Sequence, residues 1–359
     1  MSSSIRILSS SDVDKVLASL SPDLALSSQS NVFKHFSNPL PSLSNEGTCD
    51  PIQTPHRITI SSESSTMLFM PSRAPTGGDT RTTSIKIVSV PTMSDGGLPA
   101  TTMVMDESTG RVRAVVNARK LTALRNACGS ALFLRLFPNP TPPTHLILFG
   151  SGAQSHSHAI LFLRLYPSLN NITFIIRSST ARSQSVLSDL SAQFPDVNIT
   201  SSIHRTNDSE GLDEVVGKGD IIVTATSSTT PLFNSTKTTP KTGARVILIG
   251  SYKPTMHEID RELVQGAGVV VDSVEACMRE AGELIDSDLG RDDLVELGSC
   301  LDEEKGEEYK RRVEERTERG NGVIVFKSVG LGIQDVAITS LVLDQAEKMG
   351  LGNVIENYD

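Results

Sequence analysis

One pattern rules the second half of the chain. Continuous apolar runs recur at His145–Phe149, Ile172–Ile176, Asp220–Thr224, Ala244–Ile249 and Gly268–Val271, with helical patterns between several of them. A strand that is apolar on both faces must be covered on both faces, so these runs predict a parallel sheet with helices on each side. The first run leads straight into Gly150-Ser151-Gly152-Ala153-Gln154-Ser155, which opens a helix. In a βαβ unit the first glycine permits the tight turn and the second lets the backbone approach a pyrophosphate. The phosphates then sit at the positive end of the helix. Ser155 stands where Gly or Ala is usual, so helix-to-strand packing has to accept a hydroxyl. The glycine spacing alone also fits an ordinary strand-to-helix turn. Its context, strand before and helix then strand after, makes it a dinucleotide site in which Gly150, Ser151, Gly152, Ala153 and Gln154 hold the cofactor.

The end of the second strand bears on which dinucleotide. NAD sites usually place a carboxylate there for the ribose 2′-hydroxyl, whereas an Arg accommodates a 2′-phosphate. This chain offers Arg177, Ser178, Ser179, Thr180 and Arg182, with no carboxylate before Asp189. A guanidinium flanked by hydroxyls matches a phosphate in charge and fork geometry, so NADPH is expected over NADH. The plainer alternative makes Arg177 and Arg182 solvent-facing residues at a helix entry. A later strand ends in a hydroxyl-rich run from Thr224 to Pro231, and Thr224, Thr226 and Ser228 are expected to line the crevice at the carboxyl edge of the sheet.

Before this half the texture differs. A capping signal at Ser11, ahead of Asp12 and Asp14, with Val13, Val16, Leu17 and Leu20 at helical spacing, predicts one short amphipathic helix. Ser21 to Asp50 is rich in Ser, Pro and Asn and reads as loop, with a short helix around Val32–Phe36. Short β-rich runs follow at Arg57–Ser61, Ser65–Met70, Thr83–Val90, Thr101–Asp106 and Arg111–Val116. Turn signals at Thr76-Gly77-Gly78-Asp79, Asp95-Gly96-Gly97 and Ser108-Thr109-Gly110 make them an antiparallel meander. A helix is expected over Asn117–Phe137, stopped by Pro138-Asn139-Pro140-Thr141-Pro142-Pro143, which reads as a stiff boundary. The charged run 302–320 predicts a solvated helix or loop. A strand at Gly322–Lys327 and a helix from Asp335 to Met349 close the chain.

At 359 residues two domains are expected. A net charge of −9 argues against a broad basic face, and hence against duplex nucleic acid as a partner. The apolar runs are too short and too charged to span a membrane, and Met1–Ser10 lacks the features of a secretory signal, so a cytoplasmic protein is expected. Cys49, Cys128, Cys277 and Cys300 are scattered and His156 and His158 point apart, so no disulfide framework and no metal site are expected.

Several motifs in order resemble the ornithine cyclodeaminase/μ-crystallin family: Gln53-Thr54-Pro55-His56-Arg57, Phe69-Met70-Pro71, Ile85-Lys86-Ile87-Val88 and Leu121-Thr122-Ala123-Leu124-Arg125-Asn126-Ala127. These are followed by the Gly150 turn with Gln154, then Val223-Thr224-Ala225-Thr226 with Pro231. Ile249-Gly250-Ser251 with Pro254 and Glu258 comes next, then Val271-Asp272-Ser273. Val325-Phe326-Lys327-Ser328-Val329-Gly330 with Asp335 completes the set. The resemblance covers about residue 50 to the C-terminus. It implies an α/β protein with a Rossmann domain at 138–320 and an α+β substrate-binding and dimerisation domain made of 1–137 and 321–359. The implied assembly is a homodimer acting on a small carboxylate-bearing imino or amino acid. By resemblance, Arg57, Lys86 and Arg125 converge on the substrate carboxylate. Lys86 and Asp335 are then the candidates for delivering the proton or orienting a water, and Ser328 and Gly330, at the turn after Lys327, are expected at the nicotinamide end. Three cations from separate elements repel one another unless an anion lies between them, which agrees with that role.

Two departures bear on the subclass. Tyr252 stands where ornithine cyclodeaminases look to need an Asp, and Leu68 where they carry a Glu. Without these carboxylates a substrate bearing a distal ammonium would be poorly paired. The chain therefore resembles the ketimine-reductase branch, with Tyr252 facing the substrate. The expected reaction is NADPH-dependent reduction of the C=N of a cyclic or N-alkyl imino acid. Cyclodeamination, alanine-dehydrogenase-like oxidation, and a μ-crystallin-like protein that binds NADPH and a small ligand remain open alternatives.

Overall fold

The computed structural model describes residues 4–38, 51–77, 80–92, 98–204 and 211–358. Cys49 and the turn residues Gly78, Asp79 and Asp95-Gly96-Gly97 lie outside the described residues. In chain order the elements begin with β1 (Ser4–Leu8), α1 (Ser10–Ser19) and α2 (Pro22–Ser37). Then come β2 (Ile58–Ser61), β3 (Ser65–Gly77), β4 (Thr80–Pro91), β5 (Ala100–Met105), β6 (Val112–Asn117) and α3 (Leu121–Leu136). There follow β7 (His145–Phe149), α4 (Ala153–Leu165), β8 (Asn171–Ile176), α5 (Ala181–Gln193), β9 (Asn198–Ile203), α6 (Leu212–Lys218), β10 (Ile221–Thr224) and β11 (Arg245–Leu248). Next are α7 (Arg261–Gln265), β12 (Gly268–Val271), α8 (Val274–Glu280), α9 (Gly282–Ile285), β13 (Leu294–Glu296) and α10 (Gly306–Arg319). β14 (Ile324–Lys327), α11 (Gly332–Lys348) and β15 (Asn353–Glu356) end the chain.

The chain forms two compact units, Met1–Arg125 with Gly330–Asp359, and Asn126–Val329. In the first, a seven-stranded sheet runs in the order β15-β1-β6-β5-β4-β3-β2. The expected meander is present from β2 to β6, each pair antiparallel. β1 adds parallel to β6, and β15 adds antiparallel to β1. These two strands were not foreseen, because each is too short to show a period against its polar neighbours. The first helix is capped by Ser9 rather than Ser11: Ser9 and Asp12 form a reciprocal capping box. The helix expected around Val32–Phe36 is present but longer: α2 begins at Pro22, in its first turn, and runs to Ser37, where loop was expected from Ser21. Pro22 suits that position, where its missing N–H has no helical partner to lose.

α11, α2 and α1 cover one face of this sheet. α11 is buried from Gly332 to Ser340, burying Ile333, Val336 and Ile338 together with polar Gln334, Asp335 and Thr339, and beyond that it still buries Val342 and Leu343. The strand pattern on β4 is inverted relative to an ordinary sheet. Thr82, Ser84 and Lys86 point to the covered face and are buried, while Ile85 and Ile87 alternate to the other face and are only half-buried. The same strand thus turns polar side chains to the covered face and apolar ones to the open face, which leaves apolar surface needing cover.

In the second unit eight parallel strands run β13-β12-β14-β11-β10-β7-β8-β9. All of the apolar runs singled out in the sequence are strands of this sheet, whereas β9 and β13, polar or very short, were not expected. The chain builds outward from β7 through β8 to β9, then returns to place β10 on the other side of β7. The β7/β10 junction is therefore a topological switch point, where ligands bind in such sheets.

The boundaries between the units differ from the expected 137/138 and 320/321. The Pro138–Pro143 cluster is not the divide, because the second half of α3 belongs to the parallel sheet's core. Phe133 stacks on Phe326 with centroids 5.2 Å apart, and the buried Arg245 donates to the Phe137 and Pro138 carbonyls at 2.8 and 2.5 Å. The C-terminal boundary falls later because β14 pairs between β11 and β12. The charged 302–320 run forms the solvated helix α10, with Val313 its one buried side chain and Arg316 tied to Asp293 and to the Gln265 and Ala267 carbonyls. No helix among the described residues is long and apolar enough to cross a membrane, and no metal-binding cluster of His, Cys, Asp and Glu occurs among them.

Candidate active site

In the first unit the sheet and α11 assemble a buried ionic cluster. Lys86 lies in the covered row Met70–Lys86–Thr102–Val116, and its Nζ meets Asp335 Oδ2 at 2.7 Å. Arg125, from the first half of α3, brings Nε within 3.4 Å of Asp335 Oδ1 and donates from Nη1 to Gln334 Oε1 at 2.8 Å. Lys86, Arg125, Gln334 and Asp335 are each at least 95% buried. Arg57, half-buried just before β2, is close enough to act on Lys86 electrostatically. Burial, more than any neighbour, pushes the Lys86 ammonium down to about 8. Asp335 resists that fall, and Arg125 and Arg57 add to it.

Gly330 helps to make this arrangement possible. Its φ is +87°, and a Cβ there would lie 2.6 Å from Arg125 Nη1. An unsubstituted backbone is what lets the guanidinium lie flat beside it. Gly330, expected at the nicotinamide end, abuts the buried Lys86–Asp335–Arg125 cluster. Gln334 was not foreseen. It holds Arg125 and also accepts from the Leu331 N–H at 3.0 Å. Its position beside Asp335 on a turn that opens a helix was the available signal.

In the second unit the switch point carries a cleft of about 1050 Å³, at the upper end of ordinary ligand pockets. Gly150, Ser151, Arg177, Ser178, Thr226 and Ser228 line it, together with Thr180, His204 and the loop up to Asn234. Gly150 has φ +93°, and a Cβ there would press to 3.1 Å on the Ala225 carbonyl, so the tight turn at this position needs a glycine. Gly152 caps α4 with no side-chain hydrogen bond of its own. Only Arg182 Nη2 comes within 4 Å of where its Cβ would stand, apart from its chain neighbours. The N-terminus of a 13-residue helix therefore starts at a partly exposed glycine beside a guanidinium, which fits a phosphate.

Ala153 and Gln154 form the first turn of α4. Ser155 is fully buried with its hydroxyl unpartnered among the described residues, so packing does accept it. Arg177, Ser178 and Ser179 are exposed at the end of β8 and Arg182 at the start of α5. Thr224 is fully buried beneath the cleft. Ser328 is buried and donates to Asp272 at 2.7 Å. Tyr252 is half-buried in the second unit, with Lys253 Nζ 5.5 Å from its ring centre. His156 and His158 do point apart: His156 meets Asp189 near the surface, whereas His158 is buried against Ser130 and pushed down to about 4 by desolvation.

The sequence pattern of the ornithine cyclodeaminase/mu-crystallin family matches residues 28–350. An "Uncharacterized cyclodeaminase" of Dictyostelium discoideum is 28% identical over 278 residues, 73% of this chain and 74% of that one. The ketimine reductase mu-crystallin of Mus musculus is 28% identical over 245 residues, 68% of this chain and 69% of that one. The solved Thermococcus litoralis Delta(1)-pyrroline-2-carboxylate reductase, in complex with NADH and L-proline, superposes with a TM-score of 0.76 at 19% identity. It covers 97% of this chain and 99% of that one, which shows a shared fold. With the family pattern running through both units, the chain belongs to the ornithine cyclodeaminase/mu-crystallin family.

Proposed function

We propose that this chain is an NADPH-dependent reductase of the C=N bond in a small cyclic or N-alkyl imino acid. The observation that carries this reading is the buried Lys86–Asp335–Arg125 cluster with Arg57 in electrostatic reach. The two arginines oppose the Lys86 ammonium, so a substrate carboxylate docking there relieves that repulsion and favours the charged lysine. An Arg fork also fixes a carboxylate in orientation, which aligns the adjacent C=N. The second unit offers the phosphate-accepting turn at Gly150–Ala153, and Arg177 with Ser178 answers a 2′-phosphate. A bound reduced nicotinamide supplies the hydride. Lys86, held against Asp335, carries the proton that keeps the imine nitrogen cationic and electrophilic.

A substrate panel tests this reading. NADPH oxidation is expected with Δ1-pyrroline-2-carboxylate or Δ1-piperideine-2-carboxylate, and slower oxidation with NADH. Ammonia release from ornithine or alanine without imine reduction would overturn it, as would tight NADPH binding with no turnover of either imine.

The exposed face of the first unit's sheet supports a homodimer. Ile58, Phe69 and Ile87 form one cross-strand row there, and Ile58 and Ile60 are 60% and 52% exposed. A second copy laying the same face against it would bury both patches, as a two-fold interface requires. Phe69→Asp together with Ile87→Asp should convert a dimer to a monomer in light scattering at micromolar concentration. A wild-type monomer, or a variant dimer, refutes the assignment.

A further inference from the structure

Glu258 is fully buried in the second unit. Its Oε1 accepts from the Thr226 N–H at 2.7 Å and from the Thr226 hydroxyl at 3.0 Å, and its Oε2 accepts from the Gly250 N–H at 2.6 Å. Thr226 follows β10 and Gly250 follows β11, so one carboxylate joins the carboxyl ends of adjacent strands. The backbone repeats the grip: Leu232 N donates to the Glu258 carbonyl at 2.9 Å, and His257 N donates to the Ser228 carbonyl at 3.0 Å. Gly250 is shaped to this contact, since a Cβ there would stand 2.0 Å from the Thr226 carbonyl and 2.4 Å from Glu258 Oε1. Behind it Lys327, at the end of β14, donates to the Ser251 carbonyl at 2.6 Å and meets Glu283 at 3.1 Å. The ends of three neighbouring strands are thereby tied together below the cleft, and the Thr226, Ser228 and Leu232 positions held in this way line it.

We propose that Glu258 is a positioning residue for the dinucleotide cleft, joining Thr226 to Gly250 so that the hydroxyl-rich loop 226–232 keeps the shape that receives the cofactor. This rests on the reading that the second unit binds NADPH. Only a carboxylate meets the demand, because all three groups facing it donate. A glutamine has one accepting oxygen, and its amide N–H₂ would confront a backbone N–H. An isosteric change should therefore free one end of the loop without altering volume.

The experiment compares wild type with Glu258→Gln, measuring the Kd of NADPH and of 2′,5′-ADP together with hydrogen exchange over residues 224–233. Loss of one or two charge-assisted hydrogen bonds should weaken NADPH about 10- to 100-fold. 2′,5′-ADP should change less than about threefold, since the expected phosphate contacts at Arg177 and Ser178 are not touched by Glu258. Exchange should quicken over 224–233 and stay unchanged over β7 and β8. A merely structural role would weaken both ligands alike, and that outcome overturns the proposal, as does an unchanged NADPH Kd or unchanged exchange. If wild type fails to bind NADPH, the functional reading itself falls. Should Glu258→Gln fail to fold, Glu258→Asp retains the charge but is one methylene short. The same split between ligands is expected of it, and equal loss again refutes the idea.

Discussion

Lys86→Met should abolish imine reduction, lowering kcat/KM by about 1,000-fold, while the Kd for NADPH moves less than about threefold. The side chains are similar in length, so the change removes the ammonium and its hydrogen bond to Asp335 rather than the packing around the stem. It also strips Asp335 of its nearest cation in a site that is almost wholly buried. Some stability is therefore lost along with activity, and the NADPH measurement on folded protein separates the two effects. Equal loss of NADPH affinity and turnover would remove Lys86 from the role given to it.

The same residue sets a pH dependence whose sign can be worked out. The Lys86 ammonium is held down to about 8 from an ordinary 10.5. Below about 8 the free enzyme carries the charge that receives a carboxylate, so kcat/KM should fall as pH rises through that value. Stability runs the other way. The folded state disfavours the ammonium, so its penalty is complete below about 8 and is relieved as pH rises from there toward 10.5. A decline in kcat/KM above pH 8 without a parallel loss of the folded state is therefore the signature of Lys86. A flat profile through pH 9 would contradict it.

How much of this was legible in the sequence depends on which force set each element. The parallel strands were readable because burial on both faces leaves an unbroken apolar run, as at His145–Phe149 and Gly268–Val271. β9 was not, because an edge strand shows Asn198, Thr200 and Ser201 to solvent and carries no such run. α2 was expected only around Val32–Phe36, and its first half was missed for a related reason. Its Ser and Asn residues read as loop by propensity, yet Ala25, Leu26, Val32 and Phe33 bury against the first unit's core, and tertiary packing overrides propensity. The unit boundaries were misplaced because a proline cluster is a local signal, whereas the true divide is set by where α3 finds its partners. Lys86, Arg125 and Asp335 were named from motifs alone, and the fold brings them together. Gln334 and Glu258 were not assigned roles, since both act through other residues and nothing in linear spacing reveals which backbone donors they face.

Arg177→Ala should weaken NADPH about 10- to 100-fold while leaving NADH within about threefold, reversing or erasing the preference between them. Arg177 is exposed at the end of β8 and lines the cleft, so its value comes from a charge-assisted contact with a phosphate and not from any role in the core. Exposure also limits that value: solvent screens a single guanidinium, which is why the upper figure stays near 100-fold. Two carboxylates share the cleft, but Asp260 is engaged with Ser235 and the Leu263 N–H, and Glu262 is exposed. Raising the ionic strength should erode NADPH affinity more steeply than NADH affinity in the wild type, and the difference in slope should vanish in the variant. Arg182 lies close enough to Gly152 to serve the pyrophosphate instead, so Arg182→Ala should weaken both dinucleotides together. If Arg177→Ala lowers both affinities equally, or if the wild type already prefers NADH, the 2′-phosphate is not what this strand end recognises.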